Sequence, residues 1–71
     1  MTNLTLKQKM LIEIIKEFKK ENGYSPTIRE ICKITNKAPS TIFVRLMVLE
    51  KNGAIKTTEG KARSIVVLEN D

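Results

Sequence analysis

The sequence predicts a mainly α fold, in which a three-helix bundle is followed by a C-terminal two-stranded β-hairpin. Apolar residues recur with helical spacing in three segments, and each segment opens with a helix-start signal. Two strand-like runs then follow Gly53, with a five-residue connection between them. The chain has 71 residues, of which 41% are hydrophobic, and a chain this short can fill only one core. We therefore expect residues 1–71 to form a single domain.

The first helix is predicted over about residues 5–21. Thr5 and Gln8 have the spacing of a capping box, in which each side chain bonds the backbone N–H of the other. The apolar stripe behind this box repeats at helical intervals and comprises Leu11, Ile14, Ile15 and Phe18. Gly23 is expected to end the helix, because glycine adopts the left-handed conformation at little cost.

The second helix is short, over about residues 28–35. Thr27 and Glu30 form a second capping box, and the apolar face behind it comprises Ile28, Ile31 and Cys32. Asn36 is expected to turn the chain in the left-handed conformation, which asparagine tolerates better than most residues. We expect Cys32 to be a buried structural thiol, because free cysteine commonly behaves as a small hydrophobic residue.

The third helix begins at Pro39, which suits a first turn because its missing N–H is not needed there. Ile42, Leu46 and Leu49 form its core stripe, and Gly53 ends the helix near residue 52. The segments 54–58 and 64–68 then read as strands joined by a hairpin connection. Two helices joined by a tight turn, with a hairpin after the second, constitute a winged helix-turn-helix, in which the hairpin is the wing.

The net charge indicates a polyanionic partner. Thirteen Lys and Arg residues outnumber eight Asp and Glu residues, which gives a formal charge of +5. The charge balance is +3 over residues 1–35 and +4 over residues 36–68, so the second half is the more positive. Nucleic acid and anionic membrane surfaces both attract such a chain. No apolar run approaches the roughly 18 residues of a membrane helix, and no secretory signal is recognisable, so we expect a cytoplasmic protein without membrane contact.

Catalytic and metal chemistry are not indicated. The single cysteine excludes an intrachain disulfide, and the absence of histidine argues against a structural zinc site. The sequence contains no Gly-rich phosphate loop and no carboxylate pair in a recognisable catalytic motif. We therefore expect neither an enzyme, nor a cofactor, nor a small-molecule ligand.

The third helix is the expected reader of double-stranded DNA. A major groove about 12 Å wide accepts one helix, whose N-terminal residues meet the base edges. The start of this helix is small and mostly polar, so its backbone can approach DNA closely; the residues are Ala38, Ser40 and Thr41. Thr27 and Arg29, at the start of the second helix, are expected to contact phosphates. Lys61 and Arg63 on the wing, with Lys56 on the adjoining strand, suit a phosphate or the minor groove, although charges on a turn can also serve solubility alone.

The chain resembles the N-terminal DNA-binding domain of the LexA repressor family over residues 4–69. The matching stretches are LTLKQKMLIEII, SPTIREIC, PSTIFVRLMVLEKNGAIK and GKARSIVVLE. The resemblance implies that the third helix binds operator DNA and that the domain represses transcription. By position, it implies base-reading roles for Ala38, Ser40, Thr41, Phe43 and Val44, and a contact from the wing arginine, Arg63.

Three departures from the family limit what the resemblance implies. The family carries a C-terminal self-cleaving protease half that also dimerises, and this half lies beyond the matched stretch. We therefore expect residues 1–71 to support neither autocleavage nor a tight dimer. The turn at Asn36 is one residue shorter than in the family. Phe43 and Val44 stand where the family commonly has polar residues, so the target DNA sequence cannot be inherited from it.

The outward face of the third helix is predicted to be apolar. With the core stripe inside, the step of about 100° per residue sends Ser40, Val44, Met47 and Lys51 outward, flanked by Phe43 and Val48. Phe43 and Val44 can contact thymine methyl groups, with Lys51 ending the same face. Alternatively, the patch binds a second protein, which would make the domain a winged-helix interaction adaptor. A homodimer on paired DNA half-sites is a further possible assembly.

Two other side chains have alternative readings. Arg45 lies near the core edge of the third helix, and we expect either an ion pair with a glutamate of the first helix or a phosphate contact. Tyr24, before the second helix, is expected to pack against the bundle; a hydroxyl contact to phosphate is the alternative.

Overall fold

Three helices precede a small antiparallel sheet, as the sequence predicted. The computed structural model describes residues 4–58, 60–61 and 63–68. The elements in chain order are α1 (Leu6–Asn22), α2 (Ile28–Thr35), α3 (Pro39–Lys51), β1 (Ile55–Lys56) and β2 (Val66–Val67). This arrangement is a winged helix-turn-helix. Within the described ranges, no helix has the length and apolar character needed to cross a membrane.

Both predicted capping boxes are present. At the start of α1, the Gln8 N–H donates to Thr5 Oγ1 at 3.2 Å, and the Thr5 N–H donates to Gln8 Oε1 at 2.9 Å. At the start of α2, Thr27 and Glu30 exchange equivalent bonds of 3.1 and 2.9 Å. Each box satisfies N–H groups that a helix leaves without a partner in its first turn, which explains why these two helices start where they do.

Left-handed residues end α1 and α2 at the predicted positions. Gly23 has φ 83°, and its N–H donates to the carbonyl of Lys19. Asn36 has φ 59° and ψ 35°, and it is the one non-glycine residue with positive φ in the described ranges. The N–H groups of Asn36 and Lys37 both donate to the carbonyl of Cys32. The chain therefore turns within a few residues, and α3 starts close beside α2.

A single aliphatic core joins the helices to the sheet. The core stripe predicted for α3 is buried, and it meets one face of α1, the centre of α2 and both sides of the hairpin. The buried members are Leu11, Ile15, Ile31, Ile42, Leu46, Leu49, Ile55 and Ile65. Because residues from every element share this core, the hairpin is packed onto the helical bundle.

The strands are shorter than predicted. Five residues were expected in each, whereas the ladder over the described parts of 54–68 pairs Ile55 with Val67 and Lys56 with Val66. One further backbone bond runs from the Leu68 N–H to the Ala54 carbonyl. At the other end, the ladder stops because the Thr58 N–H donates to the Ser64 hydroxyl, at 2.9 Å, instead of to a backbone carbonyl.

Two expectations about single side chains are corrected. Cys32 packs against the core but remains half-buried, because it lies at the edge of the apolar face of a helix only two turns long. Arg45 is also half-buried, yet no acidic side chain in the described ranges pairs with it. The ion pair with a glutamate of α1 is therefore absent there; the alternative phosphate contact stays a prediction.

Candidate nucleic-acid interface

The outward face of α3 is apolar and exposed, as predicted from its helical projection. The exposed fractions of Phe43, Val44, Met47 and Val48 are 53%, 57%, 54% and 39%. We call these four residues the α3 patch. The inward side of the same helix is fully used by the core, so the patch has no partner within the described chain. A contiguous apolar surface of this kind marks a binding interface.

The start of α3 differs from the starts of the other two helices. Its N-cap is Ala38, which has no side chain able to cap, and no side-chain hydrogen bond is made there. Pro39 lacks an N–H, while Ser40 and Thr41 follow it in the first turn with their N–H groups uncapped by any side chain. Exposed N–H groups at a helix N-terminus attract anions, since they add to the positive end of the helix dipole.

A groove of about 1140 Å³ runs between α3, the start of α2 and the hairpin. Phe43 and Met47 of the α3 patch lie along it, and Arg29, Lys56 and Lys61 supply its positive charge. The full lining consists of Thr27, Ile28, Arg29, Phe43, Leu46, Met47, Glu50, Lys56, Thr57, Thr58, Gly60, Lys61, Ser64 and Ile65. An apolar surface with three cations beside it suits a ligand that combines bases with phosphates.

Side-chain hydrogen bonds shape the hairpin side of this groove. The Ser64 hydroxyl lies 3.0 Å from the carbonyl of Lys61 and 3.2 Å from that of Thr58, so it closes the turn from inside. Thr57 donates to both carboxylate oxygens of Glu50, at 3.2 Å each, which ties the end of β1 to α3. The base of the hairpin is therefore fastened to α3.

Arg63 lies in an intramolecular ion pair. Its Nη1 donates to Glu30 Oε1 at 2.8 Å, and its Nη2 donates to Glu30 Oε2 at 2.7 Å. Nη1 also donates to the carbonyl of Ser25 at 3.1 Å. The guanidinium carbon lies 4.5 Å from the centre of the Tyr24 ring, which itself packs edge-on against Phe18 at 5.9 Å. Tyr24 thus packs against the bundle as expected.

Charge and hydrogen bonding at this ion pair both favour the ionised forms of Glu30 and Arg63. The side-chain bonds from Arg63, followed by the backbone bond from Thr27, lower the pKa of Glu30 from 4.5 to about 2. The same pairing raises the pKa of Arg63. Glu30 is therefore ionised at neutral pH, and its charge compensates that of Arg63.

The family model for the LexA DNA binding domain matches residues 1–64. The chain belongs to the LexA DNA-binding domain family. It is 44% identical over 69 residues to the LexA repressor of Caldicellulosiruptor saccharolyticus, a match that covers 96% of this chain and 34% of that protein. It is 40% identical over 70 residues to the LexA repressor of Desulfatibacillum aliphaticivorans, covering 97% of this chain and 34% of that protein. The LexA repressor of Thermotoga neapolitana is 37% identical over 70 residues, which cover 99% of this chain and 36% of that protein. The chain therefore spans about a third of the length of the relatives it matches.

The structure of this LexA-family domain brings some of the predicted site residues together and leaves others apart. Four of them line the groove: Thr27, Arg29, Phe43 and Lys61. Five others lie on α3 or at its N-cap, outside the groove lining: Ala38, Ser40, Thr41, Val44 and Lys51. Arg63 lies at the start of α2, where it pairs with Glu30. DNA contacts by all ten remain predictions.

Lys56, which the sequence placed beside the wing cations, lines the groove. One residue that shapes the site was missing from the predicted set. Glu30 was recognised only as a capping residue. Its partner Arg63 is 33 positions away, and no spacing rule connects residues at that distance.

Proposed function

We propose that this domain binds double-stranded DNA sequence-specifically, with α3 in the major groove and the wing on the backbone or in the minor groove, and that it acts in repressor-like regulation of transcription. Membership of the LexA DNA-binding domain family supports DNA as the partner. The observation that carries the proposal is the cationic groove between α3 and the wing. In a winged helix-turn-helix docked on DNA, a sugar-phosphate backbone passes beside the recognition helix.

The cations around the groove suit a phosphate backbone. Arg29 belongs to the first turn of α2, Lys56 to strand β1 of the wing and Lys61 to its turn, so the three cations surround one groove from two sides. Glu50 also lines the groove, but its carboxylate accepts hydrogen bonds from Thr57. Phosphate contacts of this kind position a protein on the duplex and supply much of its affinity.

The first turn of α3 is suited to close approach. Ala38 and Ser40 are small and exposed, and the uncapped N–H groups of this turn offer donors to a phosphate or a base acceptor. Thr41 is half-buried on the same turn, where its hydroxyl can add one directed bond. These contacts would fix the depth and register of α3 in the major groove.

The α3 patch favours recognition of thymine. Phe43 and Val44 are more than half exposed and carry no hydrogen-bonding group, so they can distinguish bases only by apolar contact. In the major groove, the C5 methyl of thymine is the apolar feature that a side chain can contact. We therefore assign this helix a preference for A·T-rich sites, with Lys51 at the end of the same exposed face.

The test compares a selected site with random DNA. A site is selected from random duplexes with the native domain, and Phe43→Ala with Val44→Ala is then measured on both. Loss of discrimination with retained binding to random DNA supports base reading by α3. The matched control is Leu6→Ala with Met10→Ala, which removes two exposed apolar side chains from α1 and should leave discrimination intact.

The exposed α3 patch also favours a second candidate function, a protein-interaction adaptor. Four large apolar side chains on one helix can bury themselves against another protein as well as against DNA. Under this alternative, the alanine variants retain their preference for the selected site and lose binding to a protein partner. Retained preference would therefore refute thymine reading and favour the adaptor.

Repression would follow from occupancy of a DNA site. The matched relatives are named LexA repressors, which supports this role for a chain that covers about a third of their length. One helix in one groove contacts only a few base pairs, so a single domain would bind with modest specific affinity. We propose that two copies occupy paired half-sites on one face of the duplex.

A further inference from the structure

The wing depends on side chains for its position. Among the described residues, its ladder has two residue pairs, and a two-stranded hairpin alone is marginally stable in water. Ile55 and Ile65 hold the base of the hairpin in the core, but the turn with Lys61 extends beyond them. An interaction that joins the turn to the helices therefore affects where its cations lie.

Arg63 supplies such an interaction. Its guanidinium makes two parallel bonds to Glu30, a third bond to the Ser25 carbonyl and a stacking contact with Tyr24. Bidentate pairs with carboxylates fix geometry more strictly than single bonds do, because both groups are planar. Glu30 also caps the N-terminus of α2 through Thr27, so the wing is joined to a rigid point of the bundle.

The pairing also changes what Arg63 offers to DNA. Its Nη2 lies 2.7 Å from Glu30 Oε2, and this carboxylate compensates its positive charge. The guanidinium already donates three hydrogen bonds within the chain, two to Glu30 and one to the Ser25 carbonyl. A compensated cation displaces fewer of the counterions condensed on DNA phosphates than a free one, so it contributes less to salt-dependent affinity. Lys56 and Lys61 line the groove and have no such partner among the described residues.

We infer that Arg63 is a positioning residue: by pairing with Glu30 and stacking on Tyr24, it holds the wing so that Lys56 and Lys61 reach the DNA backbone, and it makes no phosphate contact of its own. This inference rests on the proposed function. It assigns Glu30 a part in DNA binding although its charge is repelled by phosphate.

The decisive variant is Glu30→Gln. Glutamine already occupies the equivalent place in the capping box of α1, where Gln8 accepts from the Thr5 N–H, so the cap of α2 is preserved. The amide nitrogen replaces one carboxylate oxygen, however, and a donor then faces the donors of Arg63. Arg63→Gln breaks the pair from the other side. Glu13→Gln is the matched control, because it removes one exposed carboxylate from an ion pair of 3.9 Å on α1.

Affinity for one duplex is measured over a range of salt concentrations. We expect both single variants to lower affinity by a similar factor, about three- to tenfold, and the double variant to be no worse than either. We also expect the two variants to change the salt slope by a similar amount, because each removes the same positioning of Lys56 and Lys61, whereas a direct phosphate contact from Arg63 would lower the slope by about 0.9 in Arg63→Gln alone. Arg63→Lys should bind weakly too, because a lysine keeps the charge but not the bidentate geometry.

A readout in the free protein separates wing docking from DNA binding. The chain has one tyrosine and no tryptophan, so its intrinsic emission comes from Tyr24 alone. Removing the guanidinium from the ring should make Tyr24 more accessible to a soluble quencher in both variants, and circular dichroism should show unchanged helix content. Glu13→Gln should change neither signal.

The outcomes for the inference and for the proposed function are distinct. The inference is overturned if Arg63→Gln reduces the salt slope by about 0.9 while Glu30→Gln binds as tightly as the native domain or more tightly. That pattern would make Arg63 a direct phosphate contact. If the native domain binds no duplex at any salt concentration while Tyr24 still responds to both variants, DNA binding itself fails and the docking of the wing stands.

Discussion

Salt dependence should reveal how many groove cations contact phosphate. Three cations among the described residues line the groove: Arg29, Lys56 and Lys61. Each neutralised phosphate contributes about 0.9 to the slope of log affinity against log salt, so three predict a slope of about −2.7 on random duplex DNA. Raising the salt fourfold would then weaken binding about 40-fold. Lys61→Ala should reduce the slope to about −1.8, and the same salt change should weaken binding only about 12-fold.

Fluorescence anisotropy with a labelled random duplex can measure this slope. The control is Lys9→Ala, which removes the same charge from an exposed position on α1, an element that contributes no residue to the groove lining. Its slope should stay near that of the native domain. The reasoning about the wing is refuted if Lys61→Ala and Lys9→Ala give the same slope. A native slope near zero would refute a phosphate interface altogether.

Three further predictions concern stability and assembly. Ile31→Ala should lower the free energy of unfolding by about 2–5 kcal/mol because it leaves a cavity in the core. Ile34→Ala, on the exposed side of the same helix, should change it by no more than about 0.5 kcal/mol. Urea unfolding measures both variants, and equal losses of stability would contradict the assigned core. The pKa of Glu30 is about 2 in the fold against 4.5 ordinarily, so the stability from its pairing is complete above about pH 4.5 and is lost as the pH falls toward 2. The urea midpoints of the native domain and of Glu30→Gln should therefore differ most near neutral pH and converge in acid, and a constant difference would show that ionisation of Glu30 is irrelevant. The 71-residue chain should sediment as a monomer or a weak dimer without DNA. On a two-fold symmetric DNA site, two copies should bind cooperatively. A tight dimer at low micromolar concentration without DNA would count against the binding of two separate copies.

The helices of this domain are determined by its sequence to within about a residue, because the signals that start and end them are local. A capping box satisfies N–H groups three residues apart, and it works in the same way whatever the rest of the chain does. The pairs Thr5 with Gln8 and Thr27 with Glu30 therefore identified the first two starts correctly. The exposed face of α3 was equally predictable from the sequence. Once the core stripe faces inward, residues on the opposite side of the helix must face solvent.

Tertiary structure alone decided the groove and the position of the wing. Strand length could not be predicted, because the ladder ends where the Ser64 side chain takes a backbone N–H that a strand would have used. The place of Arg63 could not be predicted either. Its bond to Glu30 joins residues 33 positions apart, and whether they meet depends on the angles at which α2 and the hairpin pack on the core. A local pattern specifies hydrogen bonds within one turn of a helix, whereas contacts between elements exist only once the core has brought those elements together.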